Sequence, residues 1–200
     1  MKKIGIFGGT FSPPHIGHIS AAKGFISAVS LDELIIMPDF LPPHKTFDGE
    51  ASTEERIEMC RLAFGNIPGV TVSDFEIKRG GKSYTAVTLE ELSSPDKELY
   101  FLCGTDMFLT LSSWYKPEII FKNAIICYVR RETDSDNSIL IKKASEDYIA
   151  KYNARIISIP SDINEISSSE IRKTIKNGDN LEQYLTSEVV KYIFDKGIYK

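Results

Sequence analysis

Short apolar runs recur along the chain, and four of them, near 4–7, 34–37, 99–103 and 125–129, are apolar at every position. Uninterrupted runs of this length are typical of strands whose two faces are both covered. Together with two flanking runs they predict six strands, over 3–7, 33–37, 70–75, 98–104, 124–130 and 155–160. The pattern therefore indicates a sheet buried between two other layers.

Amphipathic stretches separate the predicted strands. Ser52 and Glu55, at the start of one stretch, have the spacing of a helix capping box. The predicted helices cover 15–29, 52–64, 84–94, 116–123, 138–152, 167–178 and 186–197. Strands that alternate with helices predict an α/β fold, with a doubly wound, mainly parallel sheet and right-handed crossovers. We expect a single domain over 1–200, in which 165–200 form a C-terminal helical segment.

Composition and charge narrow the class of protein without indicating a function. Hydrophobic residues make up 42% and charged residues 26% of the chain, a balance that can fill a sizeable core. The formal net charge of −4 argues against a protein that coats nucleic acid. No stretch approaches the roughly 20 apolar residues of a membrane helix, and the first apolar run is too short for a signal peptide. We expect a cytoplasmic protein without nucleic-acid or membrane partners.

The cysteines support the same compartment. Cys60, Cys103 and Cys127 are widely spaced, and each stands among apolar neighbours. Their odd number and the absence of a metal-type spacing argue against a disulfide or zinc framework. We expect three reduced, buried thiols.

The stretch GGTFSPPHIGHIS follows the first predicted strand and carries two of the three histidines. Gly8 and Gly9 allow the backbone to come close to a ligand. A helix that begins near His15 would present N–H groups and a positive dipole end to an anion. His15 and His18 are three residues apart, so both imidazoles can face one point. The arrangement suits a phosphate whose charge grows during a reaction.

Two other interpretations of this stretch remain open. It lacks the register of a dinucleotide fingerprint and the Lys-Ser/Thr ending of a P-loop. Zinc binding would need a third ligand, and His44 is the one other histidine. The two imidazoles could also be ordinary helix-packing groups that follow a glycine turn.

The same residues resemble a known motif. GGTFSPPHIGH matches the G-x-F-x-P-x-H-x-G-H signature of the HxGH nucleotidyltransferases, at its usual place after the first strand. That superfamily has a Rossmann-like fold and joins a nucleotide α-phosphate to a phosphate monoester while pyrophosphate leaves. The resemblance implies that His15 and His18 are catalytic and that ATP phosphates are bound by Gly8, Gly9, Thr10, Phe11 and Gly17.

A second element, EISSSEIRK at 165–173, resembles the I-S-S-T-x-I-R element that binds the ATP triphosphate in this superfamily. It implies that Ser167, Ser168 and Ser169 bind phosphate and that Arg172 is catalytic as a fixed positive fork. Ser167 also has capping-box spacing with Glu170. The two interpretations are compatible, because a capped helix start is itself an anion site.

Three further elements resemble those of bacterial nicotinate mononucleotide adenylyltransferases: PDFLPPHK at 38–45, KSYTAVTLEEL at 82–92 and LCGTDMFLTLSSWYK at 102–116. For the mononucleotide phosphate, the resemblance implies binding by His44 and by Lys45, which is also a catalytic candidate. For the pyridine end it implies Thr85, whose other interpretation is an N-cap, and Trp114 as a stacking platform, whose other interpretation is an ordinary core residue. It also implies Arg131, with Arg130 as the alternative match. For ATP it implies Gly104 and Asp106, the latter on a ribose hydroxyl or as a cap of the next helix.

The implied substrates are ATP, with Mg²⁺ held mostly by phosphates and water, and nicotinate mononucleotide. The products would be deamido-NAD and pyrophosphate. The chain departs from the family at Ser12, where aspartate is common, and at Ser169, where threonine is common. The residues leave open a preference for nicotinamide mononucleotide or another phosphate monoester, as in a cytidylyltransferase, a non-catalytic nucleotide-binding module, and a homo-oligomer.

Overall fold

The computed structural model describes residues 1–42, 50–130, 137–160 and 167–200. The strands are β1 Lys2–Gly9, β2 Glu33–Pro38, β3 Val70–Val72, β4 Lys97–Gly104, β5 Ala124–Arg130 and β6 Ile156–Pro160. The helices are α1 Ile16–Val29, α2 Thr53–Phe64, α3 Phe75–Arg79, α4 Thr85–Leu92, α5 Thr105–Thr110, α6 Pro117–Asn123, α7 Ser138–Tyr152, α8 Ser168–Asn177 and α9 Ser187–Lys196, and a 3₁₀ turn spans Leu111–Ser113.

The strands form one sheet in the order β3-β2-β1-β4-β5-β6, and every neighbouring pair is parallel. The chain adds β2 and β3 on one side of β1 and then β4, β5 and β6 on the other. The strand order therefore switches between β1 and β4, where α/β sheets open a crevice at the carboxyl ends of their strands. The predicted doubly wound fold is confirmed.

Each face of the sheet has its own core. One core packs Phe25 of α1 and Phe64 of α2 against the sheet, and Val189 and Ile193 of α9 belong to it as well. The other core includes Phe108 of α5 with residues of α4, α6 and α7. The four uninterrupted runs predicted this burial, because a strand between two helical layers has no face for polar side chains. The thiols of Cys60, Cys103 and Cys127 are free and buried, as expected.

The differences from the predicted elements are local. β3 ends at Val72, whereas the prediction extended to residue 75, because Ser73 Oγ accepts from the Phe75 N–H at 3.2 Å and turns the chain into α3. The short helices α3 and α5 have too few turns to show a period in sequence. Among the described residues, no helix combines the length and apolar character needed to cross a bilayer.

Candidate active site

The loop that follows β1 is fixed by Phe11. This residue has a φ of +48°, a conformation that costs a bulky side chain about 1–3 kcal/mol. Its ring is 2% exposed, and it makes edge contacts with Phe7 at 5.4 Å and Phe64 at 5.9 Å between centroids. Burial of the ring offsets the strain and holds the loop in one conformation.

The two histidines of the loop lie together. His15 is the extended N-cap of α1, and its ring centroid is 3.7 Å from that of His18. The backbone N–H of His15 donates to Nδ1 of His18 at 3.2 Å. Because Nδ1 accepts, the ring proton of neutral His18 resides on Nε2. The structure brings the imidazoles to one place, as their spacing predicted, and their catalytic role stays a prediction.

Two backbone N–H groups at the start of α1 already have hydrogen-bond partners within the protein. The N–H of Ile16 donates to the Tyr184 carbonyl at 2.9 Å, and the N–H of His18 donates to the His15 carbonyl at 2.9 Å. These two N–H groups are therefore engaged within the protein. The expectation that the start of α1 offers free N–H groups to an anion is therefore wrong for Ile16 and His18.

The start of α8 contacts the histidine loop, which comprises residues 10–18 between β1 and the first turn of α1. Ser167 caps the helix through a reciprocal box with Glu170, in which the Glu170 N–H donates to Ser167 Oγ at 3.1 Å. The next hydroxyl, Ser168 Oγ, donates to the Pro13 carbonyl at 2.9 Å. The second phosphate motif of the sequence is thus both a cap, as predicted, and a direct neighbour of the first motif.

Arg172 joins the same two segments. Its Nη1 donates to the Ser12 carbonyl at 2.9 Å, and its Nη2 donates to Ser169 Oγ at 3.4 Å. Its Nε lies 3.3 Å from Oε2 of Glu50, and Glu50 also pairs with Lys176 of α8. The guanidinium therefore lies between the histidine loop and the segment that begins at residue 50.

Ser12, the departure from the family pattern, has a defined partner. Its hydroxyl lies 2.9 Å from the hydroxyl of Tyr199. Tyr199 is 3% exposed, and this burial raises the pKa of the phenol, which therefore stays protonated and able to donate. The histidine loop is thereby linked to a residue 187 positions away.

The residues proposed for the pyridine end lie on neighbouring segments. Thr85 is the first residue of α4 and Tyr84 is its N-cap, so the alternative of Thr85 as an N-cap is wrong. Trp114 follows the 3₁₀ turn, and its Nε1 donates to Thr110 Oγ1 at 3.3 Å. The rings of Tyr84 and Tyr115 lie 4.4 Å apart between centroids. Because each is adjacent in sequence to a candidate, this ring contact holds Thr85 and Trp114 near each other.

The remaining candidates lie at strand ends or outside the described residues. Gly104 ends β4 and is the N-cap of α5, and Asp106 is exposed in the first turn. Asp106 is therefore not the cap of this helix. β4 pairs directly with β1, so Asp106 lies at the crevice side of the sheet. His44, Lys45 and Arg131 lie outside the described residues.

Sequence analysis missed a buried ion pair beside the loop. Arg56 of α2 is 0% exposed and its Nη1 lies 3.2 Å from Oδ1 of Asp39, which follows β2. Asp39 Oδ2 accepts from Thr10 Oγ1 at 2.8 Å. The available signal was an arginine on the buried stripe of α2, at helical spacing before Met59 and Cys60.

A second polar cluster was also missed. Glu76 of α3 is 7% exposed and accepts a hydrogen bond from Thr88 Oγ1, to which Arg79 Nη1 donates at 3.1 Å. Burial raises the pKa of the Glu76 carboxyl. Ser83, a further partner of Glu76, accepts from the Phe40 N–H at 2.9 Å. The cluster thus supports the segment that follows Asp39.

We expect Glu76→Gln to change the pH dependence of stability. Between its ordinary pKa in the unfolded chain and its raised pKa in the folded chain, Glu76 keeps a proton only when folded, so stability falls as pH rises through this window. The amide has no proton to lose. The free energy of unfolding of the variant minus that of wild type, measured by urea unfolding, should therefore be larger at pH 7.5 than at pH 4.5. An unchanged difference would contradict this prediction.

Replacement of Trp114 should change KM for one substrate and not for the other. The indole is partly buried and lies edge-on to Phe101 at 6.3 Å between centroids. An aromatic contact of about 0.5–1.5 kcal/mol corresponds to a change of roughly two- to tenfold. We expect Trp114→Ala to raise KM for nicotinate mononucleotide by that factor and to leave KM for ATP unchanged, with Trp114→Phe close to wild type. Equal changes in both KM values would refute a pyridine platform.

The described residues contain no group of three or more His, Cys, Asp or Glu side chains that could hold a metal ion. The parts of the site described above offer hydrogen-bond donors that could bind phosphate: imidazoles, serine hydroxyls and a guanidinium. Such a donor set fits a metal that arrives with its own phosphate ligands.

The chain matches known proteins over most or all of its length. The cytidylyltransferase-like family model matches residues 6–174. A probable nicotinate-nucleotide adenylyltransferase of Caldicellulosiruptor saccharolyticus is 36% identical over 198 residues, which cover 99% of each chain. Another of Lachnoclostridium phytofermentans is 36% identical over 201 residues, covering 100% of each.

Solved structures show the same fold. The nicotinic acid mononucleotide adenylyltransferase of Plasmodium falciparum, complexed with APC, matches with a TM-score of 0.77 at 19% identity, over 100% of this chain and 98% of that chain. The same enzyme complexed with NaAD matches with a TM-score of 0.75 at 20% identity and the same coverage. From the full-length relatives, the chain belongs to the cytidylyltransferase-like family and, within it, to the nicotinate-nucleotide adenylyltransferases.

Proposed function

We propose that the protein transfers the adenylyl group of ATP to nicotinate mononucleotide, giving deamido-NAD and pyrophosphate, as a step of NAD biosynthesis. One observation carries the proposal: the two segments that resemble phosphate-binding motifs, the histidine loop and the start of α8, lie together and are joined by the bond from Arg172 to the Ser12 carbonyl at 2.9 Å. Full-length relatives named for this activity support it.

In this reaction an oxygen of the mononucleotide phosphate attacks the α-phosphorus of ATP. The bond from the α-phosphorus to the bridging oxygen breaks, and pyrophosphate leaves with the electron pair. The attacking phosphate is already ionised near neutral pH, so the protein needs no serine or cysteine nucleophile. Its contribution is position and charge stabilisation, as in other phosphoryl-type transfers.

His18 and His15 serve the α-phosphate. With Nδ1 of His18 engaged by the His15 N–H at 3.2 Å, the proton on Nε2 is the one His18 donates to a phosphate oxygen. The 3.7 Å separation of the ring centroids places the His15 imidazole beside it. Fixed donors of this kind stabilise the charge that develops in the transition state without reorganising at that moment.

The start of α8 serves the leaving pyrophosphate. Arg172 supplies a fixed positive charge and Ser169 a hydroxyl, and the two are already in contact at 3.4 Å. Glu50, 3.3 Å from Nε of Arg172, holds one edge of the guanidinium and thereby limits its rotation. The helix dipole adds favourable potential at the same end.

We propose that a divalent ion, Mg²⁺ as the usual companion of ATP, accompanies the triphosphate. Enzymes of this family generally use a divalent metal. The ion would be held by phosphate oxygens and water, and when bound it would neutralise charge on the phosphates. Arg172 and the imidazoles would then bind the same phosphates through their N–H groups, without contacting the ion.

At the other substrate, Trp114 would stack on the pyridine ring and the start of α4, at Thr85, would bind the nicotinate carboxylate. The mononucleotide phosphate is assigned to His44 and Lys45 on sequence resemblance. A cytoplasmic location fits the three buried, free cysteines, and a homo-oligomer stays a prediction.

The first experiment is a pyrophosphate-release assay with ATP and Mg²⁺, run in parallel with nicotinate and nicotinamide mononucleotides. We expect strong release with the acid and little with the amide. Release with the amide instead would keep the chemistry and overturn the substrate. No pyrophosphate release with either mononucleotide, together with measurable ATP binding, would favour a non-catalytic nucleotide-binding module.

A further inference from the structure

Arg56 donates hydrogen bonds to the loops after β1 and β2 from a fully buried position in α2. Its Nη1 donates to the Thr10 carbonyl at 2.8 Å and to Oδ1 of Asp39 at 3.2 Å, and its Nη2 donates to the Asp39 carbonyl at 2.7 Å. Its side chain is 0% exposed. A charge taken so far from water is retained only where its partners are fixed in geometry.

The bond to Thr10 sets the orientation of one peptide group in the histidine loop. The peptide that joins Thr10 and Phe11 is planar and trans, so its carbonyl and its N–H point in opposite directions. Because Arg56 holds the Thr10 carbonyl toward the core, the Phe11 N–H is directed away from Arg56. Thr10 and Phe11 both belong to the motif assigned to the ATP phosphates.

The bonds to Asp39 connect this loop with the next one. Asp39 receives the Thr10 hydroxyl at 2.8 Å, and its N–H donates to the Gly9 carbonyl at 3.0 Å. The following residue, Phe40, is held through its N–H by Ser83 at 2.9 Å, two residues before Thr85. The segment after β2 therefore spans from the phosphate end of the site to the pyridine end, and Arg56 fixes its first residue.

We propose that Arg56 is a positioning residue for adenylyl transfer: it orients the Thr10–Phe11 peptide for the ATP phosphates and holds the loops after β1 and β2 in register. It touches no substrate and acts through Thr10 and Asp39. The inference rests on the proposed function and adds a group that its sequence motifs do not contain.

Arg56→Lys tests the proposal with the charge retained. One ammonium on a flexible stem cannot serve the Thr10 carbonyl and two Asp39 oxygens in the fixed geometry of the guanidinium. We expect kcat to fall at least tenfold at a temperature where cooperative unfolding shows the variant fully folded. If Arg56 contributed to stability alone, the substitution would lower the unfolding midpoint and leave kcat of the folded protein unchanged.

Arg155→Lys is the matched control. Arg155 pairs with Glu98 at 2.8 Å, close to the amino ends of β4 and β6 and thus at the opposite edge of the sheet from the histidine loop. The substitution is the same and the partner is again a carboxylate, so we expect kcat within twofold of wild type.

A double-mutant cycle adds a second readout. If Arg56 acts through the histidine loop, its effect depends on His18, and Arg56→Lys combined with His18→Asn should cost less than the product of the two single losses. Full multiplicativity, or a folded Arg56→Lys with kcat within twofold of wild type, would overturn the proposal.

Asp39→Asn decides the case in which Arg56→Lys does not fold. It keeps the shape and the main-chain carbonyl of residue 39 and removes the carboxylate that pairs with Arg56. A fall in kcat supports the proposal, and wild-type kcat refutes it. Wild type is measured in the same assay, so its silence would refute the proposed function, whereas an active wild type beside unaffected variants refutes this inference alone.

Discussion

His18→Ala should lower kcat by about 10²–10³-fold, the range found when one preorganised donor to a transition-state oxyanion is removed. His18 lies at the meeting point of the loop, with Nδ1 accepting from the His15 N–H at 3.2 Å. Nε2 therefore carries the proton that would reach the phosphate. KM for ATP should change much less than kcat, because the donor is used most strongly as charge develops.

Stability provides the control for this variant. His18 makes an edge contact with Phe11 at 5.0 Å between centroids and accepts the His15 N–H, so its replacement by alanine should cost about 1–3 kcal/mol of unfolding free energy. His18→Asn is the matched variant, because its carbonyl can still accept from the His15 N–H. Urea unfolding should show that both variants are folded, and pyrophosphate release should show that both have a lowered kcat. Wild-type-like kcat in either one would remove His18 from the chemistry.

The second large effect is expected at Arg172. A charge-assisted contact to phosphate contributes about 1.5–3 kcal/mol, so Arg172→Ala should lower kcat/KM for ATP by roughly 10–100-fold. KM for nicotinate mononucleotide should stay within about twofold, because Arg172 contacts Ser12 and Ser169 at the other phosphate end. Initial rates with each substrate varied in turn measure the two values.

The double variant Arg172→Ala, Glu50→Gln separates two explanations. In the single variant the Glu50 carboxylate, 3.3 Å from Arg172 Nε in wild type, loses that partner and would repel the triphosphate. If repulsion caused the loss, neutralising Glu50 would restore kcat/KM for ATP. We expect most of the loss to persist, and full recovery would show that Arg172 merely neutralises Glu50.

Local patterns predicted the parts of the fold that depend on local physics. Burial on both faces determines strands β1, β2, β4 and β5, because any polar residue there would lose its water. The caps at Ser52 and Ser167 are predictable because both partners lie within four residues. The predicted end of β3 was wrong because the apolar pattern does not show whether Ser73 will turn the chain.

The candidate site was predicted in its residues and not in its connections. The motifs identified His15, His18 and Arg172, and the structure adds that Arg172 bonds the Ser12 carbonyl. The partner of Arg56 could not be found from sequence, because Asp39 is 17 residues away across a strand-to-helix connection. A buried arginine indicates that a partner exists, but only the packing of α2 beside the end of β2 brings Asp39 to it.

The link between Ser12 and Tyr199 has a consequence for synthesis of the protein. The loop with both histidines leaves the ribosome early, but one of its side-chain partners lies 187 residues later, and the Arg172 bond to the same loop spans 160 residues. A nascent chain that still holds these residues in the exit tunnel lacks both contacts. We therefore expect the histidine loop to reach its final arrangement only after Arg172 and Tyr199 have both left the tunnel.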